Sequence, residues 1–508
     1  MKKALAITLI LVIVSAGVIT YTTGSFQSAL KKVGFVQTDY IGDIAAMDGV
    51  SLMLRSSLQR RQFWNIRADF TDGDVSYDVK TEFSQNAAKY VQDDSYCGVS
   101  MYPDAFVHYN FNSENSEMTK TYENLNEFEK MVYDYIRECP DTGSFQKRVR
   151  LSDYDGYYSF NVVFDIGAQG ATGIFTFGEN SYEEGSLEAE AFDAFKSYFR
   201  IPFAEDHYTT IHVEKDSGNL VMAGIYEEDD DCKTAYTGGY STGTVGENAC
   251  YFTISNRTNQ GALLDTSLIP GGYGIYMLPY EIKGKGNVML SESDFKFDEL
   301  DTFVQLNEEA VVDNLAMSQD KSKLFVQYML DDKLVVSTFD ASTGELVKEV
   351  EVTEVSDDDW FRFYEGEGFY AVFNNSEITL LTENEDGALT PEFKAFQNSD
   401  FEFFPPFESL WNTKMEYDGS RLVIAGFAQI YKDKNGELTY TARYDNSYFV
   451  CAVSEDGILY FGAFESDLDK ANLRDDGLNE EWDDFYGSSR NYSFNVGTWD
   501  SNAMTIQF

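Results

Sequence analysis

Beyond about residue 205 the chain repeats one pattern, short apolar runs broken by Gly, Asp, Asn or Ser. Residues 209–213 and 220–225 flank Lys215-Asp216-Ser217-Gly218, the punctuation of a β-hairpin. Residues 324–328 turn at Asp331-Asp332 into 334–339, then at Ser342-Thr343-Gly344-Glu345 into 346–352, so three strands meander in about 30 residues. Comparable strands start at Phe369 and Leu422. The successive intervals from Leu324, roughly 45 and 53 residues, approach the length of a four-stranded propeller blade. One blade cannot bury both faces alone, so radial stacking explains the recurrence. The pattern predicts a mainly β chain with a β-propeller-like C-terminal body over residues 205–508, of six or seven blades, some irregular, with residues 503–508 as a closing strand. Tandem β-sandwiches are the alternative, because they share the turn spacing.

Residues 68–204 mix periods and predict a small α+β region. Asn124 is placed to cap a helix carrying Leu125, Phe128, Val132, Tyr135 and Ile136 at helical spacing, with Pro140 beyond it. Ser186 caps a second helix over 187–199, with Leu187, Ala191, Phe195 and Tyr198 on one side. Residues 158–164 and 173–177 read as strands between them. Residues 25–67 read as a partly helical juxtamembrane segment, with apolar Ile44, Met47, Leu52, Leu54 and Leu58 and a basic cluster of Arg55, Arg60, Arg61 and Arg67. That cluster pairs with local carboxylates or meets anionic head groups.

Residues 1–24 form the membrane address. Lys2 and Lys3 precede an uncharged apolar run over 4–21, about 18 residues, near the lower limit for a membrane span. An uncleaved single-pass anchor with an extracytoplasmic body is favoured over a cleaved signal peptide and a secreted protein. The 508 residues carry 86 acidic and 38 basic side chains, a net charge of −48. Such a surface does not neutralise nucleic-acid phosphates and suits a cationic partner or a Ca²⁺-bridged one.

Arg150-Leu151-Ser152-Asp153-Tyr154-Asp155-Gly156-Tyr157-Tyr158, followed by Tyr198-Phe199-Arg200-Ile201-Pro202, resembles segments of membrane-anchored extracytoplasmic proteins of gut-type Firmicutes. The resemblance covers residues 145–215. It implies the same address and transfers no functional residue.

An exported chain makes disulfides reasonable, and nearest-neighbour pairing joins Cys97 with Cys139 and Cys232 with Cys250. Five reduced thiols are the alternative, and Cys451, in an apolar strand, reads as a small buried hydrophobe. Gly239-Tyr240-Ser241-Thr242-Gly243 matches a nucleophile-elbow pattern, but no buried strand precedes it and no helix follows. The histidines His108, His207 and His212 all lie upstream of Ser241, where a hydrolase of that type needs a downstream base. Asp357, Asp358 and Asp359 offer oxygens for Ca²⁺ without an EF-hand pattern, as do the run 229–231 and the segment 475–484. Phe403, Phe404, Phe407 and Trp411 around Pro405-Pro406, with Trp360, offer stacking rings for a sugar or peptide. No nucleotide or redox motif appears. The sequence therefore points to a non-catalytic extracytoplasmic binding or interaction protein engaging an envelope component or an extracellular ligand. A carboxylate-based glycan hydrolase and a structural module of an exporter or sensor complex are the alternatives.

Overall fold

Three hairpins show how short polar pairs direct this chain. Asp331 (φ 52°) with Asp332 (φ 58°), Ser217 (φ 53°) with Gly218 (φ 86°), and Asp72 (φ 56°) with Gly73 (φ 71°) each place two successive residues at positive φ. That geometry fits the right-handed twist of the flanking strands, and Asp tolerates it because its short side chain bonds locally. The turns join Lys323–Leu330 to Lys333–Asp340, Tyr208–Asp216 to Asn219–Glu227, and Gln62–Thr71 to Asp74–Phe83.

The computed structural model describes residues 15, 35–58, 62–83, 95–103, 122–125, 127–154, 157, 160–168, 171–177, 185–203, 208–227, 241–258, 261–282, 290–356, 361–374, 377–396, 413–427, 429–432, 438–441, 447–466 and 504–508. The fold is mainly β, built from antiparallel sheets, and divides into two units.

The unit comprising Asp94–Ser356 and Glu385–Ala388 is organised on a seven-stranded sheet. Its order is Asp301–Gln305, Gly274–Pro279, Ala249–Phe252, Gly243–Val245, Ser95–Pro103, Phe160–Ala168, Ala171–Phe177. One face buries Val99, Phe164, Ile166 and Phe252 against Ala191, Phe192 and Phe195 of the helix Leu187–Tyr198. Edge-on ring contacts lock this core, Phe199 meeting Tyr276 at 4.8 Å and 90°. On the other face Tyr251, Ile275 and Val304 pack with Leu324, Val326 and Val335 of a four-stranded up-and-down sheet, Val311–Met317, Lys323–Leu330, Lys333–Asp340 and Leu346–Glu354. A three-stranded sheet, Asn219–Glu227, Tyr208–Asp216 and Gly143–Arg150, packs Val149, Ile211 and Val213 against Phe128, Val132 and Ile136 of the helix Glu127–Glu138. Ser186 caps the first of these helices, its Oγ accepting from the Ala189 amide at 3.2 Å. Asn124 closes a 3-10 turn instead of capping the other.

The second unit, Met1–Asp93, Asp357–Asn384 and Leu389–Phe508, stacks three sheets. The middle one is five-stranded, in the order Phe35–Gly42, Gly457–Ser466, Ser447–Ser454, Leu422–Phe427, Thr413–Tyr417. Both its faces are buried. Val423, Ala425, Val450 and Ala452 meet the sheet formed by Met504–Gln507, Ser51–Leu58, Gln62–Thr71 and Asp74–Phe83. Leu422, Ile424, Cys451 and Val453 meet the meander Arg362–Gly366, Phe369–Phe373, Glu377–Glu383, Leu389–Phe396. Thr413–Tyr417 lies beside both Met504–Gln507 and Arg362–Gly366, so one edge strand of each of the three sheets runs together with the others, as in neighbouring propeller blades.

Two expectations are corrected. Residues 25–67 are not partly helical where described. Apart from a 3-10 turn at Ile44–Met47 they form strands, since Leu52 and Leu54, then Ile66, Ala68 and Phe70, alternate with period two and fill one face. The boundary at 204/205 is crossed by sheets. Gly143–Arg150 pairs with Tyr208–Asp216, Cys97 pairs with Gly243, and Ser51–Leu54 pairs with Met504–Gln507.

Candidate functional site

Asp313 interrupts an apolar edge strand. In Val311-Val312-Asp313-Asn314-Leu315 the register against Lys323–Leu330 shifts between Val312 and Asn314, leaving Asp313 on a β-bulge. Bulges re-aim a side chain, and they recur next to active sites. Gln327 of the neighbouring strand, fully buried at 0% exposure, donates from Nε2 to Asp313 Oδ2 at 2.6 Å. Burial pushes the Asp313 carboxyl up to about 6, against the opposing pull of that hydrogen bond. Near neutrality the group exchanges its proton readily, which is the property a general acid or base needs. Gln327 Oε1 is buried without a hydrogen-bond partner.

The opposite face of the same sheet carries a closed polar network. Tyr328 Oη donates to Glu349 Oε2 at 2.9 Å, and Ser337 Oγ lies 3.1 Å from that phenol. Burial pushes the Tyr328 hydroxyl up to about 12, so it stays a donor. This network fixes strands and leaves no reactive group.

In the other unit a second carboxyl is raised. Glu416 on Thr413–Tyr417 is pushed up by burial and by the negative charge of Glu367, with Lys414 opposing. Tyr417, next along the strand, donates to Glu392 Oε1 at 3.1 Å. Phe369 and Phe393 flank its ring.

Several of the described cations pair with carboxylates. Lys323 contacts Asp340 at 2.9 Å, Lys394 contacts Glu377 at 3.0 Å, and Arg67 contacts Asp69 at 2.8 Å. Arg67 thus takes the local pairing expected for its cluster. Arg55 lies on Ser51–Leu58, while residues 60 and 61 lie outside the described residues. Asp340 also accepts from Ser342 Oγ and the Ser342 amide, and these bonds with Lys323 hold its carboxyl far below the usual range.

Several sequence candidates lie outside the described residues: Asp357, Asp358, Asp359, Trp360, Phe403, Phe404, Phe407, Trp411, Cys232, His108, His207 and the acidic segments 229–231 and 475–484. Residues 4–21 do too, Ser15 excepted. Among the described residues no group of three His, Cys, Asp or Glu side chains is placed to hold a metal, and no helix is long and apolar enough to cross a membrane. Ser241 is no elbow nucleophile: its Oγ donates to the Val99 carbonyl and the strand Gly243–Val245 follows. His212 lies 3.1 Å from Gln146 Nε2. Cys451 is buried in the core.

The pairing of Cys97 with Cys139 is corrected. Cys97 belongs to the seven-stranded sheet's core and Cys139 to the core beneath the three-stranded sheet. Cys97, Cys139, Cys250 and Cys451 are all free thiols in the structure. Sequence reasoning missed Asp313, Gln327 and Glu416. The one signal was Asp313-Asn314, two successive polar residues where strand alternation allows one.

No family model matches the chain, and no curated protein matches it. Solved structures resemble it distantly. A Bacteroides fragilis protein bearing a provisional 6-phosphogluconolactonase name is 9% identical, with 81% of this chain and 97% of that chain covered and a TM-score of 0.26. The periplasmic gluconolactonase PpgL of Pseudomonas aeruginosa is 11% identical, covering 81% of this chain and 95% of that one at a TM-score of 0.25. The β-propeller domain of Cps50 (Swd1) from Myceliophteria thermophila is 8% identical, covering 51% and 93% at a TM-score of 0.20. The blade-like character of this chain rests on its own strand order and register.

Proposed function

We propose that this chain is a membrane-anchored extracytoplasmic binding protein, without turnover of its own, whose acidic body engages a cationic envelope component or extracellular ligand. The charge excess carries the reading. With 86 acidic and 38 basic side chains, the chain cannot neutralise itself by internal pairing, and the net −48 is a field that gathers cations over about a Debye length. Ca²⁺ held by acidic runs such as Asp357-Asp358-Asp359 would bridge to a partner by the same electrostatics.

The test is retention of envelope-extract proteins by the immobilised full chain at about 0.15 M salt, with and without chelator. The same chain, heat-unfolded, is the charge-matched control. Retention of basic proteins by the folded chain and not by the control supports the reading. Empty eluates, or identical eluates from both, defeat it.

A second reading, a carboxylate-based glycan hydrolase, is favoured by one observation, the Asp313 carboxyl at about 6 on its bulge. Turnover of a sugar polymer that disappears in Asp313→Asn would select it.

A further inference from the structure

We propose that Cys97 and Cys250 form a disulfide when the chain folds in an oxidising compartment. They lie 153 positions apart in sequence, on strands Ser95–Pro103 and Ala249–Phe252. Only the three-residue strand Gly243–Val245 separates these in the sheet. Gly243 pairs with Cys97 on one side and Phe252 on the other, while Val245 pairs with Cys250. In-register partners point to one face, so both thiols enter the same core, Cys97 at 6% exposure and Cys250 at 0%.

Glycine at 243 makes the approach achievable. A Cβ there would lie 3.0 Å from Cys97 Sγ, which shows that the Cys97 side chain leans over the position where its neighbour's side chain would stand. Ser95–Pro103 and Ala249–Phe252 also lie near each other although Gly243–Val245 stands between them. The two thiols are hydrogen-bonded to each other, and that bond together with burial pushes the Cys250 thiol up. A thiol so raised is a poor nucleophile in the folded state. Exchange therefore takes place as the strands come together, before burial is complete. One thiolate attacks a small-molecule or protein disulfide, giving a mixed disulfide and releasing one thiol. The second cysteine then attacks the mixed disulfide and releases the other thiol, so two electrons and two protons pass from the cysteines to the oxidant.

The proposal shares the extracytoplasmic address with the function above and needs no partner. The full chain is produced in an oxidising secretory compartment and, in parallel, in a reducing cytosol, and thiols are blocked before lysis. Digestion without reductant is followed by peptide mapping. The expected result is a Cys97–Cys250 linked peptide in the oxidised sample only, cleaved by reductant, with Cys451 recovered alkylated. Recovery of Cys97 and Cys250 alkylated in both samples, or linked instead to Cys139 or Cys232, overturns the proposal. Neither result depends on whether the chain retains a partner, so the two readings fail separately.

Discussion

Gln327 holds Asp313 by a single 2.6 Å hydrogen bond on a strand bulge, and burial still outweighs that bond in setting the carboxyl's affinity for its proton. With the folded value at about 6 and the ordinary one at 3.8, the folded chain binds this proton more tightly than the unfolded chain. The group therefore favours folding most below pH 3.8, and that contribution falls as pH rises to about 6 and is flat above. The full swing is about 2–3 kcal/mol at most. Asn at this position still accepts from Gln327 and carries no charge to bury. Asp313→Asn is expected to stabilise the protein by about 1–2 kcal/mol at pH 7.5 and to leave it unchanged at pH 3.5. Urea unfolding of both proteins at the two pH values measures this, and an equal difference at both contradicts it.

Arg421 ties three parts of one unit together. Its Nε donates to Asp418 Oδ2 at 2.9 Å, one terminal nitrogen donates to the Asp48 carbonyl at 2.8 Å, and the other donates to the Ala46 carbonyl. The guanidinium also lies 6.0 Å from the Phe508 ring. Arg421→Ala leaves two carbonyls and a partly buried carboxylate without this partner, a loss of about 2–4 kcal/mol. Arg421→Lys is expected to restore less than half, because an ammonium cannot fork towards three acceptors. Denaturant midpoints for both variants decide it. Full rescue by lysine would show that charge alone matters.

The local hairpins were legible because their information is local. Asp331-Asp332 and Ser217-Gly218 are turn residues between apolar runs, and the strands begin and end within three residues of expectation. Pairings across the whole chain were not. Nothing near Ser51 shows that its partner is Gln507, and nothing near Phe35 shows that its partner is Ser466. Ile44 and Met47, three apart, look like part of a helix and form one 3-10 turn, and half of the core they enter is supplied by strands from the far end of the chain. The cysteines illustrate the same limit. Nearness in sequence proposed Cys139 for Cys97, whereas sheet order sets the strand of Cys250 one short strand away from that of Cys97, with both side chains in one core. Asp313 was hidden because its ionisation depends on desolvation by neighbours that the bulge alone does not reveal.

Closure by the last strand makes the sharpest forecast. Met504–Gln507 pairs with Ser51–Leu54, and Ile506, 7% exposed, packs with Leu52, Leu54, Ile66 and Phe70. Deleting residues 504–508 removes that packing and also uncovers the backbone of Ser51–Leu54, an edge open to pairing with another chain. Ile506→Ala removes the packing alone and is expected to cost about 2–4 kcal/mol while the association state stays that of the unaltered chain. The deletion should be at least as destabilising and should also associate, its sedimentation depending on concentration where that of Ile506→Ala does not. If the deleted chain keeps the association state and the stability of the full one, the terminal strand does not close the sheet.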